Sequence, residues 1–194
     1  MVGRSRHVNA GQIRARYDVS DGEFVLVLAT RMSALGATFA DLVAAVEREP
    51  GLHLLVKPHP AESAAPYAHT ARLAEATRTR VLPSTADLVE LLVACDALVT
   101  VDSLASSEAL VLDHPVLVLN LPNHLQPLVD SGAALGAWCA DEIGRQLHLM
   151  RHDTATRERL RVARERYIDR FAAGADGRSA ERIIAQIDDL ASGR

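Results

Sequence analysis

The chain has 194 residues, of which 48% are apolar and 24% charged, with a formal net charge of −4. At roughly 150 residues per domain this is one domain with at most an appendage, too apolar for a disordered chain and too acidic for a general nucleic-acid binder. No apolar run approaches the ~20 residues of a membrane helix, and the basic first residues have no apolar stretch behind them, so neither a span nor a secretory signal is read. Cys95 and Cys139 match no metal or redox spacing; both are expected as buried apolar fillers in a reducing, cytoplasmic protein. Lys57 is the only lysine among the 21 basic residues.

The first 22 residues read as a loose N-terminal extension or former interdomain segment ahead of a domain over 23–194. Four runs are apolar almost throughout: Phe24–Ala29, Leu52–Val56, Ala97–Val101 and Val116–Leu119. They lack the alternation of a one-sided sheet and suit parallel strands covered on both faces. Arg80–Leu82 and Ala137–Ala140 are read as two further strands.

Helical patterns lie between these runs. Phe39, Leu42, Val43 and Val46 recur at helical spacing before a Pro50–Gly51 stop. Tyr67–Arg78, Ala86–Ala94 (with Thr85 as N-cap) and Ala105–Leu112 follow. Two amphipathic helices, Thr154–Phe171 and Arg178–Ala191, close the chain around a Gly174–Gly177 break and are expected over the sheet edge. The alternation predicts an α/β fold, a doubly wound, Rossmann-like parallel sheet of about six strands with helices on both faces.

In such a sheet ligands bind beyond the carboxyl ends of the strands. The residues there are rich in hydroxyls, amides, imidazoles and cations, which suits a phosphate-bearing ligand. Candidates are Arg31 after the first strand, Lys57 and His59 in the proline-stiffened KPHP segment, and Ser84. Asp102, Ser103, Ser106, Ser107 and Glu108 follow the Ala97–Val101 run, and Asn120 and His124 come after Val116–Leu119. Ser103 is placed at a strand-to-helix junction, where free N–H groups favour an anion, and Glu108 one turn on, within reach of ribose hydroxyls. An ordinary N-cap and a solvated glutamate account for the same two residues equally simply.

Other chemistries lack their motifs. There is no G-x-G-x-x-G, no P-loop and no G-x-S-x-G elbow. His148 and His152 stand at i, i+4 with Asp153 following, a spacing that could in principle hold a metal. The glutamate of the metalloprotease helix is missing, histidines also suit a helix C-terminus, and no metal site is assigned.

Taken in order, LLVKPHP at 54–60, LLVACDALVTVDSLASSEALVLDHPVLVLN at 91–120 and FAAGADGRSAERIIAQI at 171–187 resemble the C-terminal, donor-binding domain of GT-B glycosyltransferases. The likeness is to bacterial capsule and surface-polysaccharide enzymes, teichoic-acid glycerophosphotransferases and nucleotide-sugar 2-epimerases. It implies a nucleotide-activated sugar or polyol as partner. His59 would lie at the donor phosphate, Ser103 at the diphosphate and Glu108 at the ribose, with no cofactor and no obligate metal. Leu104 stands where a second hydroxyl is common, and Asp113–His114 replaces a frequent Gly-containing turn.

The resemblance also implies a missing N-terminal, acceptor-binding domain, so no catalytic residue is assigned and the chain alone is expected to be inactive. Any membrane association would come through the full-length enzyme. The alternatives are a UDP-sugar 2-epimerase-like domain or a non-catalytic nucleotide-binding or scaffold module.

Overall fold

The computed structural model describes residues 8–171 and 177–192. Its centre is a six-stranded, all-parallel sheet of β1 (Phe24–Thr30), β2 (Leu52–Pro58), β3 (Thr79–Val81), β4 (Ala97–Thr100), β5 (Val116–Val118) and β6 (Leu135–Gly136), ordered β3-β2-β1-β4-β5-β6. Ten helices accompany it among the described residues: α1 (Ala10–Arg16), α2 (Met32–Leu35), α3 (Thr38–Arg48), α4 (Ala65–Leu73), α5 (Leu88–Ala94), α6 (Ala105–Val111), α7 (Gln126–Asp130), α8 (Ala140–His152), α9 (Thr154–Phe171) and α10 (Ser179–Ala191). None is long and apolar enough to cross a membrane.

The unbroken apolar runs have a direct cause. Successive strand residues point to opposite faces, and both faces are covered. Leu26 and Leu28 of β1 join a core with Leu54, Val99 and Leu117, sealed by Phe39, Leu42 and Val46 of α3 and by Ile143, Leu147 and Met150 of α8. Their neighbours Val25, Val27 and Ala29 enter a second core with Leu55, Leu98 and Val116, sealed by Leu91 and Leu92 of α5 and Ala109 and Leu110 of α6. Burying each large aliphatic side chain in these layers is worth roughly 1.5–3 kcal/mol.

Several boundaries differ from the expectation. β1 and β2 run one or two residues further, so Lys57 belongs to the strand and not to the loop. The last strand lies at Leu135–Gly136, ahead of the expected Ala137–Ala140. Ala137 N still donates to Val118 O at 2.8 Å, but Trp138 turns half out and exposed Cys139 becomes the N-cap residue of α8. Only Cys95 is the buried filler. α4 ends at Leu73, well short of Arg78, because Glu75 turns to φ +50° and Glu47 then pins the backbone N–H groups of Thr77 and Arg78. Asp87, and not Thr85, caps α5 by accepting from Val89 N (2.9 Å) and Glu90 N (3.4 Å). A carboxylate there also meets the positive end of the helix dipole.

Ahead of β1, α1 is docked. Arg14 of α1 donates to Ala94 O (2.9 Å), Glu23 O (3.1 Å) and Asp96 Oδ2 (2.8 Å), and the same carboxylate oxygen accepts from Val25 N. At the other end, α9 buries Leu160 and Arg164. Arg164 clamps Asp113 through its carboxylate (2.6 Å) and its carbonyl (3.0 Å), holding the φ +62° turn where the resemblance has glycine. The apolar stripe of α10 forms, yet Ile183, Ile184, Ile187 and Leu190 are exposed instead of packed on the sheet. Residues 174–176 of the expected break lie outside the described residues.

Candidate ligand-binding cleft

The strand order reverses between β1 and β4, and beyond their carboxyl ends the loops diverge around a cleft of about 920 Å³. Two hydroxyls stitch its floor. Thr100 Oγ1, fully buried, donates to Ala29 O at 2.8 Å, and Thr30 Oγ1 donates to Asp102 Oδ1 at 3.3 Å.

Of the residues singled out from sequence, Arg31, Lys57, His59 and Ser84 line one side of this cleft, and Asp102, Ser103 and Glu108 another. Ser106, Ser107, Asn120 and His124 do not line it. Ser106 is buried and donates its hydroxyl to Ser103 O at 2.9 Å. Ser107 and His124 are exposed elsewhere. Asn120, at φ +54°, is spent on the fold: it donates to Ala34 O (2.7 Å) at the end of α2 and accepts from Thr38 Oγ1 (2.6 Å) at the start of α3.

Arg31 and His59 meet at the cleft wall, with the guanidinium 3.4 Å from His59 Nε2. His59 Nδ1 accepts from Ala61 N at 3.1 Å, so the neutral ring carries its proton on Nε2. With the ring in that tautomer, Arg31 and His59 both present donors to the same part of the cleft wall. An anionic oxygen placed between them would accept from both.

The loop carrying Arg31 is held from below by Glu62, which sequence reading missed. Its carboxylate accepts from Met32 N at 3.1 Å, and the Tyr67 hydroxyl lies 3.1 Å from it and 3.2 Å from Thr30 O. Burial, reinforced by the Glu62 charge, pushes Tyr67 up so that it stays a donor. The protein's own carboxylate thus occupies the start of α2. Glu62 has only an "x-Glu-Ser" loop around it in sequence, and no local pattern announces a partner 30 residues away.

Lys57 is 7% exposed, and its ammonium donates to Pro58 O (2.9 Å) and Ser84 O (3.2 Å). It ties the end of β2 to the loop after β3, and burial lowers its pKa. Ser103 likewise spends its groups locally, its N–H on Thr100 Oγ1 (3.2 Å) and its Oγ accepting from Ala105 N (3.2 Å). Ser106 N and Ser107 N also bond back into the turn, so the expected row of free N–H groups is largely satisfied from within. Glu108 is partly buried, which raises its pKa. Ala86, Leu88, Val89 and the 81%-exposed Leu104 give the cleft an apolar rim.

A parallel sheet in this order, with a polar cleft at its switch point, defines a Rossmann-like α/β domain, and solved structures similar to it include glycosyltransferases, a nucleotide-sugar-binding domain and an epimerase. WaaG, a glycosyltransferase involved in lipopolysaccharide biosynthesis, superposes with a TM-score of 0.66 at 14% identity, covering 83% of this chain and 47% of WaaG. The C-terminal CMP-Kdo binding domain of WaaA from Acinetobacter baumannii gives 0.61 at 17% identity, covering 81% of this chain and 94% of that domain. A UDP-N-acetylglucosamine 2-epimerase from Listeria monocytogenes, itself so described only provisionally, gives 0.71 at 17%, covering 92% and 48%.

The chain thus spans about half the length of such full-length proteins. It belongs to the capsule polysaccharide biosynthesis protein family, whose model matches residues 33–140 and so takes in both the KPHP and the 91–120 segments. No curated protein sequence matches it.

Proposed function

We propose that this chain is the donor-binding half of a GT-B-type transferase of surface-polysaccharide synthesis, working in the cytoplasm on a nucleotide-activated sugar or polyol. The observation that carries this reading is the Arg31–His59 pair, two donors brought together on the wall of the switch-point cleft. A diphosphate oxygen supplies an acceptor for both. Glu108 and Asp102 offer carboxylate oxygens to ribose hydroxyls, and the apolar rim at Leu88, Val89 and Leu104 suits the flat face of a base.

In transfer, negative charge grows on the departing nucleoside diphosphate. Arg31 and His59 would stabilise it electrostatically, held in place by Glu62 and by the Ala61 N–H bond respectively. Lys57 adds positive charge from beneath while keeping the cleft wall in shape. The acceptor site and the catalytic base would come from a second domain; WaaG, of which this chain covers 47%, has length for one.

Calorimetry with UDP, CDP, GDP and their sugars, against the matching nucleosides, tests the reading. Binding of at least one diphosphate, about tenfold or more tighter than its nucleoside, is expected. Absence of binding to every nucleotide would sink it. The similarity to an epimerase places UDP-N-acetylglucosamine in the panel, and its conversion by this chain alone would favour the epimerase reading.

A further inference from the structure

On the other side of the molecule from that chemistry, the C-terminal ends of α3 and α8 lie side by side. Glu49 is the C-cap residue of α3, and His148 and His152 stand one turn apart near the end of α8. Glu49 Oε1 is 2.8 Å from His152 Nε2, and Glu49 Oε2 is 3.9 Å from His148 Nδ1. The two rings lie 4.8 Å apart, centroid to centroid, and one ligand atom from each of the three residues falls within 4.8 Å of the others.

We infer that Glu49, His148 and His152 form a binding site for a divalent transition-metal ion of the zinc class. His152 bonds one carboxylate oxygen of Glu49, and the second imidazole converges on the other oxygen at 3.9 Å, beyond hydrogen-bond distance, so that all three residues turn a ligand atom toward one point. Tetrahedral coordination with bonds of about 2.0–2.2 Å puts ligand atoms roughly 3.3–3.6 Å apart. That spacing falls inside the observed range, and small rotations of the exposed imidazoles reach it. Two imidazoles and one carboxylate favour Zn²⁺, Co²⁺, Ni²⁺ or Cu²⁺ over Mg²⁺ or Ca²⁺, and they leave a coordination position open.

Backbone placement is rigid, because α3 and α8 pack together in one core. The ion would therefore join the two helices that seal that face of the sheet. Asp153, next in sequence, does not join them: it is engaged at the start of α9, where Oδ2 accepts from Thr156 N (3.0 Å). One cation opposes the ion: Arg151 Nη1 lies 3.5 Å from Glu49 Oε1 while donating to Pro50 O at 2.6 Å.

Titration of the untagged protein with Co²⁺, followed by absorbance, and with Zn²⁺, followed by calorimetry, tests the site. One ion per chain is expected, with affinity falling at least about tenfold in H148A and in H152A. Zn²⁺ should raise the melting temperature of the wild type but not of the H148A/H152A double variant. R151Q should bind more tightly, because a neighbouring positive charge is gone. No binding by the wild type at about 100 μM metal, or undiminished binding by the double variant, overturns the assignment.

Discussion

Arg31 and His59 face each other across 3.4 Å with hydrogen-bond donors on both sides, because Ala61 N–H has already taken the acceptor nitrogen of the imidazole. Arg31 comes from the end of β1 and His59 from the end of β2, neighbours in the sheet. Removing either donor should lower affinity for a nucleoside diphosphate about 10- to 100-fold, the range of one charge-assisted hydrogen bond. The matching nucleoside should bind R31A and H59A as it binds the wild type. Calorimetry on the two variants with both ligands checks this.

Glu108 makes the stability of the free protein depend on pH. Burial raises its folded-state pKa above the ordinary 4.5. Between 4.5 and the raised value the folded protein holds a proton that the unfolded chain has released, so stability falls as pH rises through that window. Above the window the loss is complete. E108Q should remove this component of the slope in urea unfolding measured from pH 4 to 7, and an unchanged slope would show that Glu108 does not supply it.

Arg14 fastens α1 to the sheet through three backbone and side-chain acceptors. R14A should destabilise the fold by about 2 kcal/mol, the scale of lost charge-assisted bonds at a partly buried site. R14K should recover only part, because one ammonium cannot reproduce the guanidinium fork. Urea midpoints of the three proteins give the comparison.

Gly136 is required by space and not by backbone angle. A Cβ there would sit 2.5 Å from Leu121 Cδ1 and 2.9 Å from Val129 Cγ1. G136A should therefore cost about 1–3 kcal/mol by overpacking. A thermal melt equal to the wild type's would contradict the packing around β6.

The layout of the sheet was legible because two-sided burial writes itself as unbroken apolar runs, and β1, β2, β4 and β5 carry such runs. β6 was misplaced because its two residues include Gly136, whose role is to be small among side chains distant in sequence. The cleft was legible to the extent that position alone decides it, since strand ends at a switch point converge whatever their side chains. What position does not decide is where a side chain spends its hydrogen bonds. Asn120 and Lys57 had the right chemistry for a ligand, yet the fold takes their donors through carbonyls 86 and 27 residues away. Glu62 and Glu49 were invisible for the same reason, each acquiring its partners only when distant helices and strands meet.

The most direct test of the central claim is a map of amide shifts in ¹⁵N-labelled protein titrated with the tightest-binding nucleoside diphosphate. Shifts should concentrate at Arg31, His59, Asp102–Leu104 and Glu108, around the cleft between β1 and β4. Saturating shifts confined to another surface, with these residues unmoved, would contradict it.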